Sequence, residues 1–149
     1  MEEQVQLISP QEAEAKVAAR YRVFLVLWMA ILISVVLFLV FALVVPSTGV
    51  ANPMLSYSLL GIGLIVVIVS VLLKHRLVKQ AIEKREIQSL QSAYIIGMAL
   101  CESAAIFGLL DHFVTGSNIC WFAFLLAAIG MLLHFPRKEH LRAVSFKQS

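Results

Sequence analysis

Long apolar blocks, separated by short polar segments, dominate this chain. Four apolar runs of about 17–23 residues cover residues 23–45, 57–73, 92–114 and 119–135. A helix needs about 20 consecutive apolar residues to cross a hydrocarbon core that is about 30 Å thick. The pattern therefore predicts an all-α integral membrane protein with four transmembrane helices.

The polar segments divide the chain into three parts. We expect residues 1–22 to be a cytoplasmic N-terminal segment with an amphipathic helix that begins near residue 10 and runs into the first apolar run. Residues 9–12 (Ser-Pro-Gln-Glu) have the pattern of a capping box with proline at the first helical position. Residues 23–135 form the predicted four-helix transmembrane domain, and residues 136–149 form a cytoplasmic tail. Since residues 74–89 contain neither glycine nor proline, the second and third helices are expected to extend beyond their apolar runs.

Lysine and arginine are confined to alternate segments between the apolar runs. The segments 46–55 and 115–118 contain none of the twelve. The twelve are Lys16, Arg20, Arg22, Lys74, Arg76, Lys79, Lys84, Arg85, Arg137, Lys138, Arg142 and Lys147. Because such residues accumulate on the cytoplasmic side of membranes, the pattern predicts an up-down bundle with both termini in the cytoplasm (N-in/C-in).

Composition supports the membrane interpretation. Hydrophobic residues make up 60% of the chain and charged residues 14%, with a mean hydropathy of +0.90. A soluble domain of 149 residues cannot bury that much apolar surface, so lipid must solvate it. The net charge of +3 comes from cations that flank apolar runs rather than form one basic stripe, which argues against nucleic-acid binding. The expected partners are the lipid bilayer and other membrane subunits or further copies of the chain, and the expected location is the bacterial cytoplasmic (inner) membrane.

One carboxylate interrupts the third apolar run near its middle. An ionised Glu102 exposed to lipid at that depth would cost several kcal/mol, so the side chain must face protein or water or hold its proton. An ionisable group at mid-depth is a functional hypothesis by default. The alternative is a hydrogen bond that only holds helices together, for which Ser34 and Ser70 are the candidate partners.

Helical geometry gives the third helix two different faces. Gln91 lies eleven positions before Glu102 and therefore almost on the same azimuth, and Gln88 lies one turn nearer the cytoplasmic end. These two amides are expected to support polar access to Glu102 from the cytoplasm. Four small residues lie on the opposite face and predict close helix packing there: Ala93, Gly97, Ala104 and Gly108.

The sequence around Glu102 is similar to that of a known family. Residues 96–109 read Ile-Gly-Met-Ala-Leu-Cys-Glu-Ser-Ala-Ala-Ile-Phe-Gly-Leu. This segment resembles the second helix of the ATP synthase proteolipid, subunit c, which typically reads I-G-x-A-L-x-E, then small residues, then I-[FY]-G-L. In that family the glutamate binds and releases the transported proton or sodium ion. The resemblance therefore implies the same role for Glu102.

Other polar residues add little to this picture. The two cysteines, Cys101 and Cys120, differ too much in expected depth to form a disulfide. Four histidines stand singly near the ends of apolar runs and are expected to be interface residues: His75, His112, His134 and His140.

Three functions remain open at this point. The first is a proton- or cation-responsive subunit of a membrane complex that uses Glu102. The second is a non-catalytic interaction or assembly protein, and the third is a small-molecule transporter. Because no nucleophile–base pair, phosphate loop or zinc-ligand spacing occurs, we expect no enzymatic activity, no cofactor and no metal site.

Overall fold

A computed structural model describes residues 10–145, which form five α-helices and no strand. The helices are α1 (Pro10–Val44), α2 (Pro53–Lys84), α3 (Ile87–Thr115), α4 (Cys120–Leu133) and α5 (Lys138–Ser145). The all-α prediction is confirmed. Residues 1–9, which precede the predicted start of the N-terminal helix, lie outside the described part of the chain. From Pro10 onward, α1 continues without a break into the first apolar run.

The helix ends follow from local capping chemistry. At the start of α2, the side chain of Asn52 accepts a hydrogen bond from the backbone N–H of Leu55, and Pro53 occupies the first helical position. At its end, Arg85 adopts a left-handed conformation with φ 57°. Only Glu86 separates it from α3, so α2 and α3 form a tight antiparallel hairpin. Gly116, at φ 62°, ends α3 in the same left-handed conformation, which glycine adopts at no steric cost.

Helix α3 is the central element, since it contacts the other four helices. Both α1 and α2 pack against α3 and α4. Within residues 10–145, α1 and α2 are not neighbours. Helices α1 to α4 alternate in direction. Phe24, near the start of α1, packs against Tyr94 near the start of α3, with ring centroids 5.4 Å apart. At the other end of both helices, the His112 ring bonds the carbonyl of Val45.

Three of the helices, α1 to α3, are long and apolar enough to cross a membrane. A fourth span exists if α4 and α5, which are bent by 45° at a short break, are taken together. Large apolar side chains also cover the outside of the bundle, as at Val26 and Ile65, whose exposed fractions are 69% and 61%. The described residues therefore form a helical protein whose length and composition fit a membrane protein.

The two ends of the bundle differ in charge. The cationic end contains the Arg85 turn and α5, together with the starts of α1 and α3. The uncharged end contains the segments 45–52 and 116–119, which have no Lys or Arg. Helix α5 folds back onto α1 at the cationic end, where Leu141 and Val144 are buried.

Candidate functional site

Glu102 lies in the seam between α1 and α3. The hydroxyl of Ser34, near the middle of α1, donates a hydrogen bond to the Oε1 atom of Glu102. Both side chains are half-buried, so neither α2 nor α4 seals the carboxylate inside the bundle. Of the two candidate partners, the structure pairs Glu102 with Ser34. The other candidate, Ser70, bonds Cys101 instead.

The two amides predicted to support Glu102 lie in the same seam but do not reach it. Gln88 and Gln91 are exposed and line a pocket of about 290 Å³ between α1 and α3 at the cationic end. Because each helical residue rises about 1.5 Å, Gln91 lies roughly 16 Å along α3 from Glu102. Along the bundle, the packed rings of Phe24 and Tyr94 lie between Gln91 and Glu102.

The four small residues of α3 are all buried, and they face helices of the same chain. A Cβ atom added at Gly108 would lie 3.0 Å from the Cβ atom of Ala123 on α4. A Cβ atom added at Gly63 on α2 would lie 3.7 Å from the Cβ atom of Ala104. Ala93 and Gly97 complete the row. These residues allow α2 and α4 to approach α3 closely, so the row is not open to a partner chain.

A polar cluster that sequence analysis did not anticipate lies where α2, α3 and α4 meet. His134 is fully buried there, at the end of α4. Its Nδ1 atom lies 2.8 Å from the carbonyl oxygen of Gly130 and must carry the proton, because a carbonyl can only accept. The hydroxyl of Ser70 donates its only proton to the carbonyl of Val67. In the contact of 3.2 Å between Ser70 and Cys101, the thiol is therefore the donor and the hydroxyl oxygen the acceptor.

One atom of this cluster has no partner. The Nε2 atom of His134 is buried and makes no hydrogen bond within the described residues. It faces α3 at Gly97, where an added Cβ atom would lie 2.5 Å from Nε2 and from Cδ2. The imidazole therefore occupies the space that the missing side chain of Gly97 leaves.

A buried cation closes the end of α4 beside this cluster. The ammonium group of Lys74 donates to the carbonyl of Leu133, the last residue of α4, over 2.9 Å. It also lies 4.9 Å from the centre of the Tyr94 ring. A cation at a helix C-terminus is favoured by the helix dipole, and an aromatic face adds a further attraction. Lys74 thus has a structural explanation within its own chain.

The second carboxylate of α3 is more deeply buried than Glu102. Asp111 is 2% exposed, between α2 and α3 at the end of the bundle whose loops have no Lys or Arg. The hydroxyls of Ser56 and Thr115 each lie 2.7 Å from its Oδ1 atom and donate to it. This arrangement joins α2 to α3 by hydrogen bonds between side chains.

A signal for these clusters exists in the sequence of α2. Ser56, Gly63 and Ser70 recur every seven residues and therefore share one face of the helix. All three are buried against α3. Because the run around them is apolar on every side, the spacing of small and polar residues, not hydrophobicity, marks the packed face.

At the cationic end, α5 brings a histidine to the start of α3. The Nδ1 atom of His140 lies 2.7 Å from the hydroxyl of Tyr94. Burial lowers the pKa of His140 below its ordinary value of 6.5, and the charges of Lys74 and Arg137 act in the same direction. The neutral imidazole is therefore the form that fits this position.

Residues 10–145 contain no group of three or more His, Cys, Asp and Glu side chains placed to hold a metal ion. No family model, curated protein or solved structure matches this chain.

Proposed function

We propose that the chain is a four-span integral membrane protein of the bacterial cytoplasmic membrane, with both termini in the cytoplasm. In it, Glu102 and Ser34 form a proton- or cation-binding site at mid-depth between α1 and α3. The protein serves as an ion-responsive subunit of a membrane complex. The Glu102–Ser34 pair is the observation that carries the proposal.

The chemistry of the pair supports this assignment. A hydroxyl that donates to a carboxylate oxygen stabilises the anion, while the half-buried position leaves the second oxygen accessible to a proton or a cation. A carboxylate in apolar surroundings carries a high cost when ionised and a much lower one when neutralised. The site is thus suited to binding and releasing one positive charge.

The position of Glu102 supports a role within a complex. The carboxylate lies at the edge of the bundle, on the seam between α1 and α3, so a neighbouring subunit can reach it. The resemblance of residues 96–109 to the ATP synthase proteolipid implies the same kind of site.

The alternative is that the chain is a non-catalytic interaction or assembly protein. The row of small residues on α3 favours that role in the sequence, but in the fold these residues pack against α2 and α4. The remaining observation in its favour is that the Ser34–Glu102 bond also joins two helices. The two functions differ in what they require of Glu102, since assembly requires only the hydrogen bond.

Labelling with dicyclohexylcarbodiimide, which reacts with protonated carboxyls in membranes, tests the proposal. We expect the protein reconstituted in liposomes to be modified at Glu102 when it is treated over a pH series around neutrality. Peptide mass spectrometry locates the adduct. Excess sodium ions should slow the reaction if the site also takes a cation.

Two variants serve as controls for the labelling. Glu102→Gln should lose the adduct and keep its thermal stability in detergent, because the amide still accepts the hydrogen bond from Ser34. Asp111→Asn should retain the adduct at Glu102. Failure of wild-type protein to label at Glu102 across the pH series would contradict the ion-binding site and favour the assembly role.

A further inference from the structure

The pocket between α1 and α3 at the cationic end has a mixed lining. Three residues of α1 and three of α3 surround a volume of about 290 Å³. They are Arg20, Val23, Phe24, Ile87, Gln88 and Gln91. Half of these residues carry a guanidinium or an amide and the other half are apolar, and most of the lining surface is apolar.

The polar half offers hydrogen-bond donors without a competing carboxylate. Arg20 presents the planar donor fork that matches phosphate oxygens, and each Gln side chain has two N–H groups. No acidic residue lines the pocket. The nearest carboxylate along α3 is that of Glu86, which accepts a hydrogen bond from Ser89 over 2.7 Å. The pocket therefore has the charge that an anion requires.

The apolar half continues toward the bundle interior. Phe24 is buried and packs against Tyr94, which closes the floor of the pocket. Val23 opens the first apolar run and is 60% exposed, so the side of the pocket at Val23 merges with the apolar outer surface. An occupant can thus keep a polar group at Arg20 and an apolar chain along α1.

The level of the pocket matches the boundary between polar and apolar sequence. Arg20 lies three residues before the first apolar run begins, and Gln91 directly precedes the third. In a membrane-spanning bundle this is the depth of the lipid headgroups on the cytoplasmic side, where anionic lipids accumulate.

We propose that this pocket binds the phosphate headgroup of an anionic phospholipid, with one acyl chain lying along the exposed side of α1. Arg20 holds the phosphate oxygens, and Gln88 and Gln91 donate to the remaining oxygens. The proposal rests on the membrane topology of the proposed function but not on any role of Glu102.

Native mass spectrometry of the full chain in detergent tests lipid binding directly. We expect dioleoylphosphatidylglycerol to bind several-fold more tightly than dioleoylphosphatidylcholine. Arg20→Ala should weaken binding of the anionic lipid about tenfold, as expected for loss of a charge-assisted contact. Gln91→Leu should cause a smaller loss, because it removes one donor and retains the side-chain volume.

Arg22→Ala is the matched control, because Arg22 is an exposed neighbouring cation that does not line the pocket. It should leave binding unchanged. Equal losses in the Arg20 and Arg22 variants would show general surface attraction and overturn the proposal. So would equal binding of the two lipids by the wild-type protein.

A competition arm distinguishes the lipid from free phosphate. Inorganic phosphate at millimolar concentration should not displace the bound lipid, since the apolar half of the pocket contributes to binding. Displacement by phosphate alone would show a simple anion site and overturn the lipid assignment. Because the readout is lipid binding, a negative result leaves the carbodiimide test of Glu102 unaffected.

Discussion

At the scale of single residues, two carboxylates of the same helix differ in what surrounds them. Asp111 is 2% exposed and receives hydrogen bonds from two hydroxyls, so it joins α2 to α3. Glu102 is half-buried, has one hydroxyl partner and lies at the edge of the bundle. The accessible carboxylate is therefore the candidate for exchange of ions, and the enclosed one is a structural group.

In the polar cluster where α2, α3 and α4 meet, the ring of His134 packs directly against the backbone of Gly97. The imidazole is held by its bond to Gly130, and its Nε2 atom lies against the backbone of Gly97. Movement of the ring away from α3 would break the bond to Gly130. The absence of a side chain at position 97 is therefore a requirement of His134.

We expect Gly97→Ala to destabilise the protein by about 1–3 kcal/mol, which is typical of overpacking a buried site. The added Cβ atom would lie 2.5 Å from ring atoms of His134 and force the ring to shift. Thermal unfolding in detergent measures the effect. In a His134→Ala background the same change should cost nothing or stabilise slightly, because alanine is the better helix former.

Gly61→Ala is the matched control for this prediction. Gly61 also lies inside a helix, but a Cβ atom added there meets no other atom within 4 Å. It should stabilise α2 by up to about 1 kcal/mol through helix propensity alone. If Gly97→Ala stabilises the protein as Gly61→Ala does, the imidazole of His134 does not pack against Gly97 as described.

At the scale of helices, α5 shows how a short element is held. Leu141 and Val144 are buried against the bundle. The ion pair of Arg142 with Glu14, at 3.2 Å, is about half exposed on both sides and contributes little. The apolar residues and the contact of His140 with Tyr94 therefore hold α5 in place.

Docking of α5 is expected to weaken at acidic pH. The folded protein holds the pKa of His140 below 6.5, mainly through burial and also through Lys74 and Arg137, while Glu139 acts in the opposite direction. Because the folded-state pKa is lowered, the contribution to stability is complete above pH 6.5 and is lost as the pH falls through the lower value. Protection factors from amide hydrogen exchange in α5 should decrease over that interval.

His140→Gln should remove most of this pH dependence, since glutamine does not titrate. His75→Gln changes an exposed histidine of α2 whose charge is the weakest of the influences on the pKa of His140, so most of the dependence should stay in place. An unchanged pH profile in the His140 variant would mean that another group controls the docking of α5.

At the scale of the whole molecule, the number of spans depends on α4. Its 14 residues extend about 21 Å at the usual helical rise, which is less than a hydrocarbon core of about 30 Å. The segment 134–137 and α5 extend the chain beyond it at the cationic end. If α4 crosses the membrane, both termini lie on the same side. If it does not, the C-terminus lies opposite the N-terminus.

Reporter fusions distinguish the two topologies. A green fluorescent protein fused after residue 149 should fluoresce, and alkaline phosphatase at the same position should be inactive, because its disulfides form only outside the cytoplasm. Phosphatase inserted after Val50 should be active. Active phosphatase at the C-terminus would contradict the four-span topology and favour three spans.

Part of the fold and of the site could be predicted from sequence. The second and third apolar runs lie within α2 and α3, the first ends one residue beyond α1, and the fourth extends beyond α4 at both ends. The absence of glycine and proline in residues 74–89 anticipated the extension of α2 and α3 beyond their apolar runs. Ser34 was one of two candidate partners of Glu102, and geometry along a single helix could not choose between them. The choice depends on which helix lies beside which, and α1, not α2, covers that face of α3.

The sequence alone determined the helical class, the start of the first helix near residue 10 and the uneven distribution of cations, because these depend on local composition and capping. The tertiary structure decided which polar groups are enclosed. His134 is fully buried because Gly97 leaves room for it, and Asp111 is enclosed because Ser56 and Thr115 satisfy it. In a chain apolar on nearly every face, hydrophobicity does not distinguish interior from exterior. Steric fit and hydrogen bonding between helices do, and both require residues distant in sequence.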